Sequence, residues 1–157
     1  MNIFFLDRDP KIAAQYHCDT HVVKMILETA QLLSTAHHEM GSPLAEHCYK
    51  STHVNHPCAI WVRQSIHNYR WTYDLFRWLT TEYWKRRGKI HASWKKLGLI
   101  LDTIPDLPDL PFRDPPQCMP EVYKKDDTVE AYRQYYRLGK RDIVAYKWIN
   151  NTPEWMS

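Results

Sequence analysis

The first hydrophobic feature is a short apolar run, Ile3 to Leu6 within the segment Asn2 to Leu6, followed at once by the charged residues Asp7, Arg8 and Asp9. It predicts a short N-terminal strand or a buried arm. Asp9-Pro10 then supplies an N-cap and a proline at the first helical position. From there Ile12, Val23, Ile26, Leu27, Ala30 and Leu33 keep helical spacing to about His38, and Gly41-Ser42-Pro43 stops the pattern. Residues 44 to 56 show no period and read as a loop. Asn55 or His56-Pro57 opens a second long helix to about Arg87. Gly88 caps or bends it, and a third helix runs through roughly Ile100.

Six prolines between Asp102 and Pro120 forbid a helix there, and the aromatic and acidic residues among them predict an ordered strap across the surface. Asp126 or Asp127 caps a last helix from Val129 to about Gly139, and the aromatic tail IVAYKWINNTPEWM is expected to pack back onto the body. The fold class is mainly α. The expected architecture is a compact bundle of about four helices with a short N-terminal strand or arm and a proline-rich strap, forming a single domain over residues 1–157. A chain of 157 residues that is 44% hydrophobic can bury its own core. Seven Trp and ten Tyr beside only four Gly favour helices packed through large side chains.

The formal charge of +3 permits a polyanionic partner without requiring one. Cys18, Cys48, Cys58 and Cys118 follow no CxxC spacing, which speaks against a zinc ribbon and for reduced thiols. The opening MNIFFLDRDP is too short and too soon charged for a signal peptide, and no run approaches the roughly 18 apolar residues of a membrane span. No membrane partner and a cytoplasmic location are therefore expected. Nothing in the pattern fixes an oligomeric state.

On a continuous first helix His17, His21, Lys24 and Glu28 follow i, i+4, i+7, i+11 spacing and fall within roughly 60° of one another. Apolar residues border this polar line on both sides. One bland account is a solvated seam with Lys24 and Glu28 as an ion pair. Two functional ones exist. Imidazoles one turn apart can converge on a divalent metal, giving a ligand set of His17, His21 and Glu28 completed by His53 or His56, with Cys58 also near. Alternatively Lys24 is a nucleophilic amine, its pKa lowered by burial or by the histidines, and Glu28 is the acid/base, an arrangement suited to imine chemistry at a sugar carbon or carbonyl.

The segment from Tyr49 to Cys58 concentrates Lys50, His53, Asn55 and His56 just before a helix N-terminus, where free N–H groups and the helix dipole favour phosphate. Plain capping by Asn55 or His56 with Pro57 accounts for part of it. Along the second helix Arg63, His67, Arg70, Asp74 and Arg77 form a stripe beside Trp71 and Trp78, a pattern that suits phosphate pairing with base stacking. The rival account is a solvated Arg/Asp face over core tryptophans. The cluster Lys85-Arg86-Arg87, Lys89 and Lys95-Lys96 extends the basic character.

The stretches HCDTHVVKMILETAQLLSTAH, YKSTHVNHPCAIWVRQSIHNYRW, EYWKRRGKIHASW and MPEVYKKDDTVEAYRQYYR resemble a family of small, mostly uncharacterised bacteriophage and bacterial proteins, over nearly the whole chain. Its recurring polar positions match His21, Lys24, Glu28, Lys50, His53, Asn55, His56 and Arg63. A weaker likeness is to the phage pyrimidine-dimer glycosylases, which carry a Gln-His pair and a later Arg-Glu on their first helix, parts for which Gln15-Tyr16-His17 and Glu28 stand here. That family attacks with the amine of a small residue exposed by methionine removal. Asn2 does not suit such removal, so the likeness implies Lys24 as the amine.

These observations lead to three expectations. The first is a phage-type DNA- or nucleotide-processing enzyme acting on a base or its N-glycosidic bond, with Glu28, Lys24, His21 and His17 in the chemistry. Lys50, His53, Asn55, His56, Arg63, Arg70 and Trp71 would hold nucleic acid, and no cofactor is required. The second is a metal-dependent hydrolase using the ligand set above. The third is a non-enzymatic factor that binds nucleic acid or a host protein through a Trp/Arg surface.

Overall fold

The computed structural model describes residues 1–139 and 146–157. Its architecture is mainly α, and among the described residues there is no strand. The apolar run at the start is a buried arm: Ile3, Phe4, Phe5 and Leu6 are each at most 2% exposed. Among the described residues six α-helices follow, where about four were expected. They are α1 (Pro10–Tyr16), α2 (Asp19–Glu39), α3 (Pro57–Val62), α4 (Ile66–Arg87), α5 (Ala92–Leu97) and α6 (Thr128–Gln134). The two long helices, α2 and α4, pack against each other, with α1 on α4 and with α3 and α5 on α2.

Most helix starts follow local capping chemistry. The side chains of Asp9, His56, Ser65, His91 and Asp127 each accept a backbone N–H from the first turn that follows. Gly88 closes α4 in the left-handed region at φ +68°, so it caps the helix and does not merely bend it.

Two expected helices are broken, which accounts for the larger number. The first breaks at His17-Cys18, both extended. Here the side chain of Arg86, 2% exposed, reaches in from α4. It donates to the carbonyls of Gln15 (2.9 Å) and His17 (2.7 Å), to Asp19 Oδ1 (3.0 Å) and to Glu82 Oε1 (3.0 Å). One guanidinium thus satisfies the end of α1 and pairs with an acid in the first turn of α2. The N–H of Asp19 donates to Lys147 O at 2.8 Å, which uses one of the free donors at the start of α2. The second break lies at Arg63 to Ser65, where Asn68 Nδ2 donates to Trp61 O and Ser65 recaps the chain.

The loop 44–56 contains a single 3₁₀ turn, Ala45–His47, and is fastened to α2 by small buried hydroxyls. Thr35 exchanges hydrogen bonds with the backbone of Thr52, and Ser34 accepts from the Tyr49 N–H. The strap lies along α3 and α4. Trp61 donates its indole N–H to Arg113 O, the Arg113 N–H donates to Asn68, and the Ile66 N–H donates to Pro108 O. The last helix ends in a π turn, Tyr135–Gly139. Of the expected tail, Ile143 to Ala145 fall outside the described residues. The described part packs back on α1 and α2, through Trp148 donating to Tyr16 O and the Ile149 N–H donating to Asp19.

Candidate functional site

The polar line expected on one helix is divided by the break before α2. His17 sits at the C-terminal end of α1 and is fully buried. Its Nδ1–H donates to Ala13 O at 2.6 Å, and Nε2 has no hydrogen-bond partner. Burial lowers its pKa from 6.5 to about 4, and the positive charge of Arg86 adds to the lowering, against the hydrogen bond to Ala13. The ring is therefore neutral at pH 7. His21, on α2, is stacked on Phe4 with ring centroids 4.5 Å apart and is hydrogen-bonded through Nδ1 to the Tyr136 hydroxyl at 2.6 Å. Both rings pack on Phe4 of the arm, and His21 also meets Tyr136 of the π turn, Tyr135–Gly139.

The sign of the His17 shift gives a test. An unfolded chain binds the proton near pH 6.5, whereas the native protein resists it until about pH 4, so stability falls as pH drops between those values. The full difference is about 3 kcal/mol at 1.36 kcal/mol per pKa unit. His17→Phe is expected to flatten the melting-temperature profile between pH 6.5 and 4 relative to wild type. Parallel profiles would refute the assignment.

Glu28, on α2, is 8% exposed and lies where the arm begins. Its Oε1 is 3.3 Å from the amino group of Met1, whose side chain is also buried. Its Oε2 is 4.0 Å from Lys24 Nζ and accepts no hydrogen bond. Lys24 itself has a 63% exposed side chain, so burial does not desolvate its amine as the sequence led us to expect.

Close by, the N-terminus of α3 brings in His56, whose Nδ1 accepts the Cys58 N–H at 3.0 Å. Its pKa is lowered by partial burial, by the Met1 amine and by His53, while Glu28 acts in the opposite direction. Cys58 Sγ lies 3.7 Å from Cys118 Sγ, and the two thiols are hydrogen-bonded. That bond and burial push Cys58 up, whereas Cys118 is lowered to about 7, first by its bond to Cys58 and then by the charges of Lys124 and Met1. Among the described residues, the His, Cys and acidic side chains that converge closely enough for a metal are His56, Cys58 and Cys118. His17, His21 and Glu28 are not brought together in this way. Cys118 is 60 residues from Cys58 in sequence and carried no local signal.

The expected phosphate contacts divide into two groups. Lys50, His53 and Asn55 are exposed, and His53 adopts a left-handed backbone at φ 49°. Arg63 instead donates to Val54 O at 2.9 Å and holds this loop in place. Arg70 donates to both the side chain and the carbonyl of Asp102, pinning the strap. Trp71 is 8% exposed and donates to Arg8 O, so it belongs to the core and presents no face for base stacking. Among the described residues, no helix is long and apolar enough to cross a membrane. An open cleft of about 660 Å³ lies away from this region, lined by Gln15, Glu82, Arg86 and Asn150 among others. Its walls are the Arg86 cluster and the tail, and Glu28 is not among them.

Comparison with protein-family models, with curated proteins and with solved structures finds no match to this chain.

Proposed function

We propose that the protein is a phage-type DNA- or nucleotide-processing enzyme that acts on an N-glycosidic bond, with Glu28 as the acid/base. The observation that supports it is one buried carboxylate set against amines on both oxygens, with Oε2 accepting no hydrogen bond. A carboxylate so placed can take a proton from an attacking amine and give it to a departing base. In the reaction the amine nitrogen attacks C1′ of the nucleoside. The C1′–N bond breaks and its electrons leave with the base, which picks up the proton carried by Glu28. A further N–H proton moves to the ring oxygen as the sugar opens, leaving an imine. Lys24, exposed beside Oε2, supplies the amine.

Borohydride reduces such an imine to a stable amine, so trapping on DNA with abasic or damaged sites is the direct test. The expected product is a covalent complex whose DNA-bearing peptide contains Lys24. A chain that cleaves such DNA without trapping overturns the amine chemistry.

The exposed cations beside this site would carry the phosphate contacts. Lys50→Ala is expected to reduce the slope of log affinity against log salt by about 1. Arg70→Ala should leave that slope unchanged and cost no more than about 1 kcal/mol of stability, because its pair with Asp102 is solvent-exposed. Equal slopes for Lys50→Ala and wild type would remove the loop from the binding surface.

A further inference from the structure

Three elements meet beside the start of the chain. The N-cap of α3 contributes His56, its first turn contributes Cys58, and the end of the strap contributes Cys118, with one ligand atom from each within 4.8 Å of the others. The two sulfurs are 3.7 Å apart, and neither belongs to a disulfide. A tetrahedral ion that holds two thiolates at about 2.3 Å sets their sulfurs about 3.8 Å apart. The pair therefore already stands at the edge length of such a site.

We propose that His56, Cys58 and Cys118 bind one divalent transition-metal ion of the zinc type, with a fourth position left open. The ligand set defines the ion class, since thiolate with imidazole selects zinc-like ions over magnesium or calcium. Binding releases two thiol protons, so a dipositive ion with two thiolates and a neutral imidazole leaves the site without net charge. The backbone of Cys118 is fixed in advance: its N–H donates to the Tyr132 hydroxyl, and its carbonyl accepts from Asn2 Nδ2. His56 must exchange one role for another. Its Nδ1 now accepts the Cys58 N–H, and ligation through Nε2 moves the ring proton to Nδ1 and gives up that cap.

Three protein ligands and an open position characterise sites where an ion holds water or substrate. The site does not depend on the amine chemistry proposed above, and its test reads metal directly. Full-length protein, reduced and stripped of metal, is titrated with Co²⁺ and then Zn²⁺. The expected result is about one equivalent bound, with a near-ultraviolet thiolate-to-cobalt charge-transfer band that Zn²⁺ abolishes. Cys118→Ser and His56→Asn should each weaken binding by at least about 100-fold, beyond what loss of an outer-shell partner causes. His56→Asn retains a good N-cap and so reads ligation even where a cysteine variant misfolds. Cys48→Ser and Glu28→Gln should bind as wild type, which separates failure of this site from failure of the Glu28 chemistry. Absence of the band with both thiols still reactive to a thiol reagent, or unchanged binding in folded Cys118→Ser, overturns the proposal. So does a Cys58–Cys118 disulfide as the sole product, with no metal taken up after reduction.

Discussion

Glu28→Gln is expected to lower turnover on DNA carrying a damaged or abasic site by roughly 10²–10⁴-fold, the usual contribution of a positioned acid/base, while leaving the fold intact. The carboxamide has the same shape, and its oxygen can still accept from the Met1 amine that now sits 3.3 Å from Oε1. Only the capacity to carry a proton is lost. Single-turnover kinetics beside a circular dichroism melt will check it. If the variant turns over at the wild-type rate, Glu28 is a structural counter-ion for the first residue. An equal loss of binding and rate would point to misplacement of the arm.

Arg86→Met is expected to destabilise the protein by about 3–5 kcal/mol, because it leaves Asp19 and Glu82 buried without their cation and uncovers the carbonyls that end α1. At this chain length, about 2–4 °C per kcal/mol, the melting temperature should fall by some 6–20 °C. Lys85→Ala and Arg87→Ala, at exposed positions on either side, should stay within about 0.5 kcal/mol of wild type. Three equal, small effects would show that Arg86 does not hold α1 to α2.

The same residue shows where the sequence stopped being legible. In Lys85-Arg86-Arg87 the pattern displays three equivalent cations, and nothing local separates the one that enters the core. The break at His17-Cys18 follows from that distant side chain and from Lys147, so the helical spacing of the residues around it suggested one continuous helix. The break before Ser65 was more accessible, since a serine three residues ahead of Asn68 is an ordinary N-cap, but the apolar period ran through it unchanged. Caps at Asp9, His56, Asp127 and Gly88 were readable because their chemistry lies within a turn of the residue concerned. Glu28 stood out in the sequence as a polar residue between apolar flanks, and the His56 loop by its density of polar side chains. The Met1 amine and Cys118 reach them only through tertiary packing. Trp71 and Arg70 fit a nucleic-acid pattern by spacing, yet one faces the core and the other ties down the strap.

The buried arm also bears on how the molecule is made. Some of its partners lie far along the chain: Tyr132 donates to Asn2 across 130 residues, and Arg133 donates to Leu6 O across 127. At about 5–20 residues per second of synthesis, roughly 6–26 s pass between the arm leaving the ribosome and the appearance of the surface that covers it. During that interval Ile3, Phe4, Phe5 and Leu6 form a short, uncharged, β-prone stretch that can meet only its earlier partners, Phe4 on His21 and Phe5 on Trp71, and lacks the cover that Tyr132 and Arg133 complete. Slowing translation before Tyr132 should therefore increase aggregation in cells without changing the stability of the finished fold.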